Sequence, residues 1–378
     1  MHIPPSPQIA VACLCILLVL MTLVLRPTKK AWRSPSVCRK GAIRVEVVGG
    51  ANSMLVCPAW IGDHSTLFLI DTGYGGAPVL SLPLLHSEGG DHSTLSSKLS
   101  ALQSVRSVGQ EAEVRALHRF MRRQRCVSFT AGGSQTLMGI GASASSTTDI
   151  LLGPGVHFEG VDAPAVGGRE CCGYADADVY VTTSMPTAHI LTMDWLRQAS
   201  PCMIRMQAGE LRIGMSEAEL ADALPRFRLL TRQMSGGAFV ARVRVAGGSF
   251  IRCTVDTGAA CYVSLSARAA SGFRCERRVA RLVRQSGVND ERVCADVVHG
   301  EVTLGDEERM PDVPIFVSTT APTDVDGYVG IALLRHYDLL VANDSLYVRR
   351  NERAFDSHLL DAGFEEGACG ASVPCLSE

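Results

Sequence analysis

Hydrophobic and polar positions follow one order twice along the chain. A β-prone apolar run, then Asp-Thr-Gly, several small residues and a second apolar run occupy residues 66–83, and the same order returns at 250–266. An apolar run that leads into a glycine-containing turn predicts a strand ending at the turn. Asp71 and Asp256 are therefore expected at the exposed ends of two strands.

A second pair of matching segments lies downstream, at residues 189–214 and 327–349. Each segment begins with an apolar triplet around a small residue, which is Thr192 in one copy and Gly330 in the other. A short helical stretch ending in Leu-Arg follows, and then a hairpin. Because order and approximate spacing are kept, the chain is expected to form two β-rich units related by pseudo-symmetry.

The repeats predict how the 378 residues are divided. The 36 glycines and 17 prolines follow no period, which favours many short strands and turns. We therefore expect a mainly β, bilobal fold. The predicted parts are a first lobe at 43–215, a linker with a short helix at 216–238, a second lobe at 239–350 and a tail at 351–378.

An apolar segment precedes the first lobe. Residues 9–25 contain no charged side chain, a length at the short end for a membrane-spanning helix. No Lys or Arg precedes the run and no clear small-residue cleavage site closes it, so we expect a single-pass anchor instead of a signal peptide. The basic juxtamembrane linker at 26–42 favours a cytosolic body by the positive-inside rule, but the side of the membrane stays open.

Composition excludes several classes of function. The net charge of -2 gives no reason to expect nucleic acid as a partner. The 14 cysteines show no zinc-ligand spacing, the ten histidines form no His-Glu-x-x-His pattern, and no glycine pair precedes a lysine at phosphate-loop spacing. We therefore expect neither a metal nor an organic cofactor. The cysteines fit disulfides or free thiols equally well, so they leave the compartment open.

Two Asp-Thr-Gly turns can share one chemical task. Carboxylates held about 3 Å apart cannot both ionise easily, so one keeps a proton and the pair titrates as a unit. The charged one can take a proton from water, while the protonated one can donate a hydrogen bond to a carbonyl. Thr72 and Thr257 would pin the turns through their hydroxyl groups, and Gly73 and Gly258 would let backbone approach the carboxylates.

These motifs resemble the aspartic peptidase family, in particular its pepsin-like two-lobed enzymes, with a second-lobe motif at 256–259 in the retroviral style. Val329-Gly330-Ile331 is similar to the segment that threads behind a catalytic loop in that family. The resemblance implies Asp71 and Asp256 as the catalytic pair, an extended peptide as substrate, and water attack without a covalent intermediate. We expect a monomeric, membrane-anchored aspartic endopeptidase.

The same resemblance implies a flap over the site, formed by the hairpin at 127–139 with Phe129, Thr130, Gly132 and Gly133. The chain departs from the family at Thr130, where the family has Tyr.

Two further departures lie in the first lobe. Tyr74 follows the first Asp-Thr-Gly, where the family has Ser, Thr or Ala, and Thr192 replaces a Gly. The departures leave two alternatives open: a non-catalytic relative that still binds peptide, and a homodimer that uses only the second unit. A predicted helix at 111–126 carries a row of arginines, which fits an exosite for an acidic substrate or an ordinary solvated face.

Overall fold

Strands make up most of the described chain, and each Asp-Thr-Gly turn directly follows one of them. Asp71 ends the strand His64–Asp71 and Asp256 ends the strand Phe250–Asp256, as the apolar runs predict. The described residues belong to one unit, Val37–Glu378. The computed structural model describes residues 41–48, 54–61, 64–76, 78–81, 134–138, 145–152, 156–161, 171–174, 178–182, 189–273, 277–286, 292–306, 309–318 and 324–351.

The described elements confirm the predicted mainly β class, because strands outnumber short helices throughout. In chain order the strands are β1 (Gly41–Arg44), β2 (Glu46–Val48), β3 (Met54–Ile61), β4 (His64–Asp71), β5 (Val79–Ser81), β6 (Ser134–Met138), β7 (Ser145–Leu152), β8 (Val156–Glu159), β9 (Cys171–Tyr174), β10 (Asp178–Thr182), β11 (His189–Thr192), β12 (Cys202–Arg205), β13 (Glu210–Ile213), β14 (Arg228–Thr231), β15 (Met234–Ser235), β16 (Ala238–Val245), β17 (Phe250–Asp256), β18 (Val263–Ser266), β19 (Arg277–Ser286), β20 (Arg292–Leu304), β21 (Met310–Ser318), β22 (Gly327–Gly330), β23 (Tyr337–Ala342) and β24 (Ser345–Arg350). The helices are α1 (Met193–Gln198), α2 (Glu217–Ala223), a 3-10 turn (Leu224–Arg226), α3 (Ala267–Ala270) and α4 (Ile331–Leu334).

Two sheets carry the two Asp-Thr-Gly turns and share one topology. Within the described residues, the first runs in the order β6-β7-β10-β5-β11-β4-β3-β8-β9, with β2 beside β3, and the second in the order β15-β16-β17-β22-β18-β21-β20-β19. In both, a parallel strand lies next to the one that ends in Asp: β11 pairs with β4 and β22 with β17. In both, the strand after the turn is parallel to a later one, β5 to β10 and β18 to β21. The two halves are therefore pseudo-symmetric.

The register of these strands brings the downstream motifs against the turns. Thr192 lies opposite Asp71 in the pair of β11 with β4, and Gly330 lies opposite Asp256 in the pair of β22 with β17. The sequence repeat thus corresponds to a repeated contact, in which the end of one parallel strand supports the turn at the end of the other.

A third sheet takes strands from both halves. Its order is β1-β13-β12-β23-β24-β14, and β12 pairs with β23 antiparallel, so the two hairpins of the repeat meet at its centre. Segment 216–238 contains the expected short helix, α2, which begins with a capping box between Ser216 and Glu219. That segment also supplies β14, an edge strand that the sequence analysis did not anticipate.

One continuous hydrophobic cluster runs through the sheets. It includes Phe68 and Trp195 from the first half and Val255 and Tyr337 from the second, each at most 1 % exposed. Burying a side chain of this size contributes about 1.5–3 kcal/mol. Because the cluster draws on both halves, they are expected to unfold together.

No helix among the described residues is long and apolar enough to cross a membrane. The predicted anchor at 9–25 and nearly all of the predicted tail at 351–378 lie outside the described residues.

The third sheet contains an ion pair between the buried Asp338 and the partly exposed Arg349, whose contribution to stability can be tested. Asp338 on β23 is 4 % exposed and accepts hydrogen bonds from the Met206 backbone N–H at 3.0 Å and from Arg349 Nη2 at 2.5 Å. Replacing Asp338 by Ala leaves both donors without their acceptor. We expect Asp338→Ala to lower the free energy of unfolding by about 2–4 kcal/mol, measured by urea denaturation.

The matched control is Asp222, whose contact with Arg226 is largely exposed. Asp222→Ala should change the free energy of unfolding by less than about 1 kcal/mol, since water screens such pairs. Equal effects of the two substitutions would contradict a stabilising role for the hydrogen bonds that Asp338 accepts.

Candidate active site

The ends of β4 and β17 bring Asp71 and Asp256 together, and the two carboxyl groups share a hydrogen bond. The glycine of each motif lies against the opposite carboxyl group. A Cβ atom added to Gly73 would lie 2.3 Å from Asp256 Cγ, and one added to Gly258 would lie 2.6 Å from Asp71 Cγ. Only glycine therefore fits at these positions without separating the carboxyl groups.

Backbone N–H groups orient each carboxyl group from within its own loop. The Gly73 N–H donates to Asp71 Oδ1 at 2.9 Å, and the Gly258 N–H donates to Asp256 Oδ1 at 2.8 Å. The next residue adds a second donor in both loops: Tyr74 to Asp71, and Ala259 to Asp256 at 3.1 Å. The donor at Tyr74 is a backbone group, so this departure from the family pattern leaves it in place.

Thr72 and Thr257 connect the two loops to each other. The Thr72 N–H donates to Thr257 Oγ1 at 3.2 Å, and the Thr257 N–H donates to Thr72 Oγ1 at 3.0 Å. The Thr72 hydroxyl in turn donates to the Val255 carbonyl at 2.8 Å, and the Thr257 hydroxyl to the Ile70 carbonyl at 2.5 Å. The sequence predicts that each threonine pins its own turn, whereas in the structure each one binds the opposite strand.

Both carboxyl groups have a raised pKa. Each residue keeps part of its surface exposed, although the loops desolvate its carboxyl group. This burial is the largest cause that raises the pKa of Asp71 and of Asp256. The charge of Asp256 and the shared hydrogen bond raise the pKa of Asp71 further, while that bond lowers the pKa of Asp256. The pair therefore keeps one proton at a pH where an isolated carboxyl group would be ionised.

The segments behind the two loops support them in the same way. The Met193 N–H donates to the Tyr74 carbonyl, and the Ile331 N–H donates to the Ala259 carbonyl, both at 2.9 Å. These donors begin α1 and α4, so a helix start is tied to each Asp-Thr-Gly loop. The two hydrogen bonds have the same length, so both loops are held in the same way against the helix that follows the neighbouring strand.

Thr192, the departure from Gly in the first half, has a structural role. At the equivalent position in the second half, a Cβ atom on Gly330 would come within 2.3 Å of the Cys261 carbonyl oxygen, so that loop requires glycine. In the first half the Thr192 hydroxyl donates to the Gly76 carbonyl at 2.5 Å and accepts from the Trp195 N–H at 3.3 Å. In the first half, the hydrogen bond from Thr192 to Gly76 thus takes the place of the close backbone contact that Gly330 makes in the second half. The first Asp-Thr-Gly loop is therefore still supported by β11.

Two residues that sequence analysis did not single out lie near the pair. Burial raises the pKa of Tyr328, and the charges of Asp256, Asp324 and Asp71 raise it further. Cys261 is buried, and burial together with the charge of Asp256 raises the pKa of its thiol. The position of Tyr328, two residues before Gly330 on β22, could have identified it once that strand was paired with β17.

The remaining predicted site residues belong to the predicted flap. Phe129, Thr130, Gly132 and Gly133 lie outside the described residues, as does the arginine row at 111–126. The described part of the predicted flap segment 127–139 is β6, which pairs antiparallel with β7. In the described part of the chain, no group of three or more His, Cys, Asp or Glu side chains could hold a metal ion.

Comparisons with known proteins add little to this geometry. No family model and no curated protein sequence matches the chain. It is similar to the solved structure of a retropepsin-like aspartic protease from Rickettsia conorii, with 18 % identity and a TM-score of 0.24 over 32 % of this chain and 88 % of that one. It is also similar to Basic 7S globulin from soybean, with 10 % identity and a TM-score of 0.45 over 85 % of this chain and 97 % of that one. Neither likeness is strong enough to assign a family.

The raised pKa values predict how the pair affects stability. A carboxyl group whose pKa is raised by folding favours the folded state fully below its unfolded pKa of about 3.9, and this contribution is lost as pH rises through the folded pKa. The free energy of unfolding should therefore fall as pH rises across that window. In Asp71→Asn, which carries no titrating proton at this position, we expect a smaller fall and a more stable protein at neutral pH.

Thermal or urea unfolding of the two proteins from pH 4 to pH 8 measures the difference. Parallel stability curves would contradict a shared, buried proton. Asp222→Asn, at an exposed carboxyl group, serves as the control and should follow the wild-type curve.

Proposed function

We propose that this chain is an aspartic endopeptidase that hydrolyses peptide bonds with Asp71 and Asp256. The observation that carries the proposal is the hydrogen bond between two desolvated carboxyl groups on pseudo-symmetric loops. A protein gains no stability from bringing two such groups together, since each has its charged form disfavoured. A pair held this way combines an acid and a base at one point, which suits hydrolysis by water.

The proposed mechanism gives each carboxyl group one role. Asp256, the ionised member, takes a proton from a water molecule, whose oxygen attacks the carbonyl carbon of the peptide. Asp71, the protonated member, donates its proton to the carbonyl oxygen, so a neutral tetrahedral diol forms. Asp256 then gives its proton to the amide nitrogen, a diol hydroxyl returns its proton to Asp71, and the carbon–nitrogen bond breaks. The pair ends in its starting state with one proton, and no covalent enzyme intermediate is needed.

The substrate proposed is an extended peptide. Such a chain can add strand-like backbone hydrogen bonds to those of a β-rich site. Because both loops are supported in the same way, the two carboxyl groups can act on one peptide bond together. One carboxyl group then lies nearer to the attacking water and the other nearer to the carbonyl oxygen.

Substitution of either carboxyl group tests the mechanism. In the full-length chain, purified in mild detergent and assayed on a peptide library, Asp71→Asn and Asp256→Asn should each lower kcat/KM at least about 1000-fold, because the acid or the base is lost. A statine-type inhibitor should block the wild-type activity. Wild-type activity should also fall as pH rises past the upper pKa of the pair, where Asp71 loses its proton.

Each failure has a distinct meaning. Cleavage that survives both substitutions would overturn the mechanism. Loss of activity in Asp256→Asn alone would instead favour a homodimer built on the second unit. Inhibitor binding without cleavage by the wild type would identify a peptide-binding relative that has lost catalysis. Asp222→Asn is the control and should keep full activity.

We also propose that residues 9–25 anchor the enzyme in a membrane, a proposal supported by the sequence alone. The full-length chain should remain with membranes after alkaline carbonate extraction. The double substitution Leu17→Lys and Leu20→Lys places two charges in the apolar run, each costing about 2.5–3.5 kcal/mol at the centre of a span, and should release the chain. Release of the unsubstituted chain would contradict the anchor.

A further inference from the structure

Strand register defines three neighbouring positions beside Asp71. Leu69 on β4 lies opposite Ile190 on β11, and Ile190 lies opposite Val79 on β5. Leu69 and Ile190 each precede, by two residues, the pair formed by Asp71 and Thr192. Residues two apart in a strand share a face, so these three lie on the face that carries Asp71. We call Leu69, Ile190 and Val79 the first row.

The second half has the same three positions beside Asp256. Thr254 on β17 lies opposite Tyr328 on β22, and Tyr328 lies opposite Ser264 on β18. Thr254 and Tyr328 again precede, by two residues, the pair formed by Asp256 and Gly330. We call Thr254, Tyr328 and Ser264 the second row. All three members of the first row are aliphatic, and all three members of the second carry a hydroxyl group.

Positions further out in the two sheets do not show this change. On one side, Val56 lies opposite Leu69 and Val240 lies opposite Thr254, so valine stands in both halves. On the other side, the register puts an aromatic residue next in each half, Tyr180 in the first and Phe316 in the second. Among the positions compared, an aliphatic residue in the first half corresponds to a hydroxyl residue in the second only within the two rows.

Both rows lie on the side of the sheets away from the main core. Residues on the opposite face of the same strands, among them Ile70, Val255 and Val329, belong to the main hydrophobic cluster. Leu69 and Tyr328 keep part of their surface exposed and are the members that a substrate can touch directly, whereas the other four members are buried behind them. The influence of both Asp71 and Asp256 on the Tyr328 hydroxyl agrees with a position next to the pair.

We propose that the two rows give the enzyme an asymmetric substrate preference: an aliphatic or aromatic side chain on the first-row side of the cleaved bond, and a hydrogen-bonding side chain such as Gln, Asn, Ser or Thr on the second-row side. This inference rests on the proposed peptidase function. Two residues of a strand span about 7 Å, so each row lies within reach of the side chain beside the cleaved bond.

The physical reason is a difference in desolvation. An aliphatic wall cannot return the hydrogen bonds that a polar side chain gives up on leaving water, so the first row rejects such side chains. Hydroxyl groups can both donate and accept, so the second row can replace those bonds. Conversely, an apolar substrate side chain placed on the second row takes water away from the partly exposed Tyr328 without offering its hydroxyl group a partner, which penalises that substrate.

Tyr328 should contribute most of the substrate preference of the second row. It is the largest of the three side chains, it stays partly exposed, and its hydroxyl group responds to both carboxyl charges. Its position makes it a specificity-determining residue and not an acid or base, because the raised pKa keeps the phenol protonated in the working pH range of the carboxyl pair. A protonated phenol next to the pair can donate to a substrate amide or hydroxyl oxygen.

The test uses the full-length wild-type chain in mild detergent and a peptide library in which the two residues flanking the cleaved bond are varied independently. Cleavage products sequenced by mass spectrometry should show one flank enriched in apolar residues and the other in Gln, Asn, Ser or Thr. A given pair such as Leu-Gln should be cleaved at least about tenfold faster in one order than in the other.

Variants that delete hydroxyl groups while keeping volume test the cause. Thr254→Val, Ser264→Ala and Tyr328→Phe together should reverse the preference at the second flank by about tenfold or more and leave the first flank unchanged. Tyr328→Phe alone should give about a two- to tenfold part of that effect, and it keeps the test available if the triple variant does not fold. Tyr347→Phe, a tyrosine of the third sheet, is the matched control and should leave both flanks unchanged.

The outcomes separate this inference from the function on which it rests. Cleavage of library peptides with the same apolar preference on both flanks would overturn the asymmetric preference and leave the peptidase intact. An asymmetric preference unaffected by Tyr328→Phe and by the triple variant would also overturn the role of the second row. Absence of any cleavage by the wild type would overturn the peptidase function, and the preference with it.

Discussion

The crossed hydrogen bonds of Thr72 and Thr257 are the interaction on which the rest of the site depends. Each hydroxyl group accepts from the opposite threonine N–H and donates to a carbonyl of the opposite strand, and both residues are buried. Bonds of this kind are worth about 0.5–1.5 kcal/mol each, but losing one inside the protein costs more, because its partner stays unsatisfied. Asp71 and Asp256 disfavour each other's charged form, and these bonds hold the two loops at the separation at which the carboxyl groups share one proton.

Pseudo-symmetry supplies two copies of one support, and the differences between the copies show what each copy must do. The helix starts at Met193 and Ile331 donate to equivalent carbonyls at the same distance. Thr192 and Gly330 both support the neighbouring loop, Thr192 by a hydrogen bond from its hydroxyl group and Gly330 by a close backbone contact that a side chain would prevent. The loops are thus held to a common geometry, while the surfaces beside them are free to differ.

The sequence indicated the strands before Asp71 and Asp256 and their meeting, because an apolar run, a turn motif and a repeat are local patterns that one chain displays twice. The crossed threonine bonds could not be inferred in the same way. They join residues 185 positions apart, and nothing in either Asp-Thr-Gly motif states which carbonyl the hydroxyl will reach. The third sheet was missed for a similar reason, because β14 pairs with β24 only after both halves have formed. The second row becomes visible only when the register of β17, β22 and β18 is known.

The most direct measurement of the central claim is a pH titration of the two side-chain carboxyl carbons by 13C NMR, with Asp71 and Asp256 assigned by single Asp→Asn variants. We predict that the two signals change together in two steps, the upper one well above the usual range for Asp, with a single proton held by the pair between the steps. Two independent transitions, each close to the ordinary Asp pKa of about 3.9, would show that the carboxyl groups do not share a proton and would contradict the account.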